Sequence, residues 1–277
     1  SVVEGNQDVI AATMATLHEF PDRKLLGEDV IWCQGESDHL LSSHRLLCTA
    51  THTNNGVYGQ ATGTKLRYRI IADCAARNNV IDDEWLVRDQ SAIVRQMGWD
   101  LETYARALID SEGGADKCVQ PYTPANDVTG PYKGNGNGHE VGQKYADILT
   151  TLMTADFSTI PKTYDRACQL ELPGGQAQHG REEADKFWLG LRAAFPSAQF
   201  QVHHLMGRTD DDMPSTAAVR WSLTGKHEGW GMFGKPTNAD IFVMGISHAE
   251  FGPRGLKREF VAVDETAIWK QIILKTG

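Results

Sequence analysis

Two aspartates hold the same place in a phrase that the chain uses twice. Residues 87–96 read VRDQSAIVRQ and residues 262–271 read AVDETAIWKQ, which aligns Asp89 with Asp264. A carboxylate in an apolar pocket makes a useful general base, because burial raises its pKa toward neutrality. Strand alternation puts Phe260 and Ala262 on the side of Asp264, and Trp85 and Val87 on the side of Asp89. Those neighbours would supply apolar surroundings. The same aspartates also precede Gln/Glu-Ser/Thr-Ala-Ile, so each is a good helix N-cap that accepts a backbone N–H.

Other residues could join this chemistry. His248, in GISHAEF, shares a strand face with Ile246 and Glu250, and a His/Glu/Asp cluster would form if that strand lay beside the one carrying Asp264. Such a cluster could take a proton and return it to an oxygen. At the corresponding places the first half of the chain has Asp73 and Ala75. His52 and His227 stand at strand ends before glycine turns, either as hydrogen-bond donors at a pocket rim or as partners for loop backbone. Arg45 and Arg220 could hold a carboxylate or an enolate, or could pair with Glu84 and Glu259. Trp32, Trp188, Trp221 and Trp230 read as core or pocket lining. His203 and His204 are neighbours on a strand and point oppositely, and no HExxH or His-x-His occurs, so no metal site is expected.

The elements that must position these residues are repeated. An offset of 175 (Asp89 to Asp264) also pairs Arg45 with Arg220, His52 with His227, Gly59 with Gly234 and Glu84 with Glu259. Chance would not hold one offset over so long a stretch, so the chain carries two copies of one domain. The reading is a first domain over 1–112, a linker over 113–138 and a second domain over 139–277. The linker holds six glycines and three prolines. Its GNGNGHE tail fails the GxGxxG spacing and follows no apolar strand, so it reads as a hinge. In the second copy the pattern predicts a helix over about 139–155, a strand over 167–172, an amphipathic helix ended by Pro196, β-rich runs, and a last helix from Asp264. The first copy should have an equivalent of 139–172 before Gly5, where the sequence starts, so the first domain is expected to be either naturally shortened or trimmed at its N-terminus. Helices followed by long strands and a final helix make an α+β domain.

Composition narrows the function. The net charge of −9 argues against a general phosphate-backbone binder, so no nucleic-acid partner is expected. The five scattered cysteines form no CxxC, which favours a reducing cytoplasm over a disulfide framework. No apolar run is long enough to span a membrane.

The stretch VRWSLTGKHEGWGMFGKPT, followed by a β-rich run and REFVAVDETAIWKQ, resembles the SnoaL-like polyketide cyclase family of the nuclear transport factor 2 superfamily. Thr224, Gly225, His227, Gly229, Phe233, Gly234, Pro236 and Thr237 fit its usual phrase, with Asn238 where glycine is usual. The first copy fits more loosely through Thr49, His52, Tyr58, Gly59, Thr62 and Gly63, with Ala61 in place of the proline. The resemblance implies two cone-shaped α+β barrels in tandem, each with a pocket inside a curved antiparallel sheet. It implies catalytic roles for Asp264 and Asp89, with His248 as the added candidate. Glu250, Trp221, His227, Phe260, Arg220, His52 and Trp85 are the candidate substrate contacts. It implies no cofactor, a small carbonyl substrate, and acid–base chemistry such as aldol cyclisation, isomerisation or elimination. The alternatives are a lyase or hydrolase using the same pocket, and a non-catalytic binding or assembly module. Many family members act as dimers, so a tandem chain would be a built-in pseudo-dimer, with room for further self-association.

Overall fold

A computed structural model describes residues 2–35, 38–133 and 136–277; Gly134 and Asn135 of the GNGNGHE tail lie outside them. The first repeat runs α1 (Gly5–Glu19), β1 (Lys24–Gln34), β2 (Leu40–Thr51), β3 (Lys65–Arg77), β4 (Val80–Arg88) and α2 (Gln90–Gln96). An additional helix, α3 (Leu101–Ser111), precedes the linker. The second repeat begins with α4 (Glu140–Met153), α5 (Thr159–Thr163), β5 (Tyr164–Leu172) and β6 (Gln176–His179). It continues with α6 (Arg181–Ala194), β7 (Gln199–Arg208), β8 (Ser215–Lys226), β9 (Asp240–Gly252), β10 (Gly255–Val263) and α7 (Glu265–Thr276). The sequence pattern anticipated most of this second set; α3 and β6 were not anticipated.

The first sheet has the order β1-β2-β3-β4 and is antiparallel. The second has the order β6-β5-β10-β9-β8-β7, with β5 parallel to β10. The β3–β4 hairpin turns on Asn78 and Asn79, both at positive φ (52° and 60°). A tight two-residue hairpin requires that conformation, and asparagine tolerates it.

The two repeats bury their concave faces differently. In the second, α4, α5, α6 and α7 close over the sheet, and Tyr145, Leu149, Trp188, Leu191, Trp221 and Ile268 share one core. The first has no counterparts of α4, α5, β5 and β6 among its described elements. Its core gathers Phe20, Tyr58, Tyr68 and Ile93, with Tyr104 of α3 stacked on Tyr58 at 5.7 Å. The consequence is plain in α1. Its counterpart α6 buries Phe187, Trp188 and Leu191, whereas α1 has Ala12, Thr13 and Thr16 at those places and buries only Glu19.

The outer faces of the two sheets pack on each other. Ile71 and Val87 of the first meet Ile246 and Ala262 of the second, while Ile31, Cys33 and Leu41 meet Met206 and Ala218. The five cysteines are free and buried. No helix among the described residues is long and apolar enough to cross a membrane.

One packing choice separates the two interiors. Trp221 lies opposite Gly245 in the second repeat, where the first has Leu46 opposite Ile70. A Cβ on Gly245 would stand 2.2 Å from the Trp221 ring. Gly245→Ala should therefore lower stability by about 1–3 kcal/mol, the usual cost of overpacking a core. Urea unfolding would check this, and the paired change Trp221→Leu/Gly245→Ala should recover part of the loss.

Candidate functional site

The face assignment expected for the last strand of each repeat is reversed in part. Phe260 and Ala262 do not line the interior of the second repeat: they point at the first sheet, as do Trp85 and Val87 from the other side. Glu259, Val261 and Val263 face the interior instead. A sheet covered on both sides gives both faces of a strand apolar neighbours, so alternation alone could not tell core from inter-sheet contact.

Between the sheets lies a reciprocal arrangement. Arg45 of β2 sits 3.5 Å over the ring of Phe260, and Arg220 of β8 sits 4.0 Å over the ring of Trp85. Neither arginine pairs with Glu84 or Glu259, as the sequence had suggested. Arg45 meets Glu250 at 3.2 Å, Glu28 at 3.3 Å and Asp29 at 3.8 Å, while Arg220 meets Asp73 at 3.5 Å. His248 and Glu250 do share a face, but the acid that closes their cluster is Asp73 rather than Asp264. Ser43 Oγ donates to Asp73 Oδ1 at 2.6 Å and lies 2.7 Å from His248 Nε2. Arg45 approaches His248 Nδ1 at 3.5 Å. An arginine can only donate, so Nδ1 accepts and Nε2 carries the hydrogen toward Ser43. Burial, together with the Arg45 charge, holds His248 neutral, well below the usual histidine range. Burial pushes Asp73 up to about 6 despite Arg220 and Ser43. These side chains form a buried polar contact between two sheets.

Asp264 and Asp89 both cap helices. Asp264 accepts from Ala267 N at 3.1 Å and from Gln90 Nε2 at 3.0 Å. Burial raises its pKa, against these bonds. Asp89 accepts from Ala92 N, Ser91 Oγ, Gly174 N and Gly175 N, all within 3.0 Å. It thereby ties the β5–β6 turn of the second repeat to the first. The histidines have diverged. His52 and His227 are fully buried, and each is held through Nδ1 by a threonine, Thr62 and Thr237, at 3.1 Å. His52 also reaches Glu19, which accepts from the backbone of Val57 and Tyr58. The place of Glu19 is taken by Ala194 in the second repeat, and His227 Nε2 has no hydrogen-bond partner. Of the tryptophans expected inside, Trp188 and Trp221 are, whereas Trp32 and Trp230 are exposed.

A different carboxylate occupies the interior of the second repeat. Glu259 is fully buried, and Tyr145 and Tyr164 donate to its Oε1 at 2.8 and 2.9 Å. Trp188 Nε1 lies 3.3 Å from Oε2 and 3.2 Å from the Tyr164 hydroxyl. α4 supplies Tyr145, the start of β5 Tyr164, α6 Trp188 and β10 Glu259. Ser247 bonds Tyr145 and accepts from Trp221 Nε1 at 2.9 Å. No cation offsets the burial, so desolvation outweighs three donors and pushes Glu259 up to about 7. A proton carrier at neutral pH needs that value. Among the described residues no cluster of His, Cys, Asp and Glu could hold a metal ion. The sequence signal that could have found this site was the recurrence of Glu84 and Glu259, read there as arginine partners.

Comparison with known proteins places this half of the chain. Residues 144–257 match the family model of the SnoaL-like domain. The second repeat is a SnoaL-like domain. Among solved structures, IdmH of Streptomyces antibioticus is 17% identical, covering 48% of this chain and 99% of its own, at a TM-score of 0.41. A SnoaL-like protein of Jannaschia sp. CCS1 is 16% identical over 53% of this chain and 97% of its own, at 0.40. AclR of Streptomyces galilaeus is 17% identical over 46% and 91%, at 0.40. No curated protein sequence matches the chain.

Only the SnoaL-like domain carries the complete interior cluster. In the first repeat Glu84 is the counterpart of Glu259, but it is exposed, and Thr13, Leu46 and Ala72 replace Trp188, Trp221 and Ser247. Two outcomes follow. Asp264→Ala should cost about 1 kcal/mol or more in thermal unfolding through the lost cap. Glu259 holds its proton more tightly folded than unfolded, so its contribution is complete below about pH 4.5 and is lost as pH rises through 7. Unfolding free energy should fall over that window by on the order of 2–3 kcal/mol from this group, and Glu259→Gln should flatten the slope.

Proposed function

We propose that the SnoaL-like domain is a cofactor-independent acid–base catalyst acting on a small carbonyl compound, with Glu259 as its proton carrier. The observation that carries this reading is the Glu259 carboxyl, shifted to about 7 in a closed core with no cation beside it and addressed by two tyrosine hydroxyls. The ionised carboxylate would take a proton from the carbon next to the carbonyl. The C–H electron pair would become the enolate double bond, and Tyr145 or Tyr164 would turn its hydroxyl toward the enolate oxygen. The enolate carbon could then close a ring, shift a double bond or expel a leaving group, with Glu259 returning the proton. Asp264 and Asp89 serve here as caps that fix where α7 and α2 begin. Arg220, Phe260, Trp85, His248 and Glu250 hold the sheets together and do not touch substrate.

Glu259, Tyr145, Tyr164 and Trp188 have essentially no exposed surface beyond that of a packed core, so substrate would enter only as α4 and α5 lift from the sheet. That closure favours a second reading, a non-catalytic module in which Glu259 is a buried structural acid. The two separate in one experiment. On the first, the wild-type protein exchanges α-protons of a panel of small ketones and 1,3-diketones with deuterium oxide, the rate rises with pH through about 7, and Glu259→Gln loses at least about 100-fold while Asp264→Asn keeps most of it. On the second, wild-type and Glu259→Gln proteins both leave every compound unexchanged, and the substitution changes only stability.

A further inference from the structure

A cavity of about 160 Å³ lies where the linker crosses the outer face of the second sheet, apart from the Glu259 interior. Tyr132 and His203 line it, and three further rings wall it: Trp85 of β4, Phe242 of β9 and Tyr122 of the linker. The Tyr122 ring stands edge-on to both others, with centroids 5.6 Å away in each case. The linker is pinned beside it, since Tyr132 N donates to Asp83 at 2.9 Å. At about 30 Å³ per water the space equals roughly five waters, well under the about 300 Å³ of drug-sized sites, so it suits a single ring with a small substituent.

Arg220 is the buried cation of this cavity. It is 5% exposed and carries five N–H donors, of which one bonds the Tyr132 carbonyl at 2.8 Å. Its Nε is buried without a hydrogen-bond partner, because Asp73 stands 3.5 Å away. Asp73 is itself bonded to Ser43 and Tyr132, and although burial raises it to about 6 it stays mostly ionised at neutral pH. The other charged groups that line the cavity, Asp127 and Lys133, are opposite in sign and offset each other. Asp73 pairs with the guanidinium at 3.5 Å and Asp83 adds negative charge nearby, yet the buried Nε lacks a hydrogen-bond acceptor beside a ring-sized space. Leaving a buried donor without an acceptor is unfavourable, and an anionic acceptor would relieve it.

We infer that this cavity binds a small planar aromatic carboxylate, its ring against Trp85, Tyr122 and Phe242 and its carboxylate on Arg220. The site is separate from the proposed catalytic interior and does not depend on it. Benzoate is the probe. Calorimetric titration and tryptophan fluorescence should show saturable 1:1 binding with Kd of about 0.1–1 mM, and benzyl alcohol, which keeps the ring and loses the charge, should bind at least about tenfold more weakly. Tyr122→Ala, on a half-buried linker position, should weaken benzoate about tenfold with an unchanged melting curve, and Arg220→Gln should abolish binding. If Arg220→Gln fails to fold, the benzyl alcohol comparison and Tyr122→Ala still decide. Glu259→Gln should leave benzoate binding as it is, which separates this site from the catalytic proposal. Absence of saturable binding up to about ten times that Kd, equal binding of benzyl alcohol, or unchanged affinity in Tyr122→Ala would each overturn the inference.

Discussion

Arg45 and Arg220 decide how the two sheets meet. Each projects from the second strand of its four-strand repeat unit, crosses to the opposite sheet and stacks on the aromatic residue of that unit's last strand, Phe260 or Trp85. A buried guanidinium is costly to desolvate unless it is packed and paired. The acids that pair them come from unequal sources: Glu28, Asp29 and Glu250 around Arg45, and Asp73 near Arg220. This contact fixes which face of each sheet is interior. Once Phe260 and Ala262 are committed to the partner sheet, Glu259, Val261 and Val263 must face the helices. The location of Glu259, the carboxylate raised to about 7, follows from that commitment.

The repeats differ in their interiors. The second keeps a closed interior with tyrosines, tryptophans and a serine arranged around one glutamate. The first keeps the strands, the capping aspartate and the buried histidine, but its interior polar set is gone, and α3 supplies the packing that α4 and α5 supply in the second. The exchange of Leu46 and Ile70 for Trp221 and Gly245 shows the change at a single cross-strand pair. A large ring there takes the space that a facing side chain gives up, and an indole N–H is gained for Ser247. The first repeat nonetheless serves the second. Asp89 holds the β5–β6 turn through two backbone N–H groups, and Gln90 reaches Asp264.

Much of the architecture was legible before any coordinates. The 175-residue offset, the helical spacing of 139–155 and 180–195, and the Asp-led start of the last helix all reflect local or repetitive patterns, which a linear string displays directly. The site was legible only in pieces. Asp89 and Asp264 stood out because a phrase was repeated, yet capping accounts for their bonds. His248 and Glu250 were correctly placed on one face, but the acid that joins them comes from 175 residues earlier in the chain. Glu259 was visible as a recurring residue and was read as an arginine partner.

The sequence by itself determined the duplication, the α+β class, the helix caps and the approximate element boundaries, because each rests on spacing between near neighbours. Tertiary structure decided which side of each strand is interior, because both sides are covered and both carry apolar residues. It decided that Glu259 stands buried among the helices as an acid shifted to about 7. That shift arises from burial and outweighs the opposing pull of donors on α4, β5 and α6, groups spread over more than a hundred residues of chain and brought together only when the helices close on the sheet.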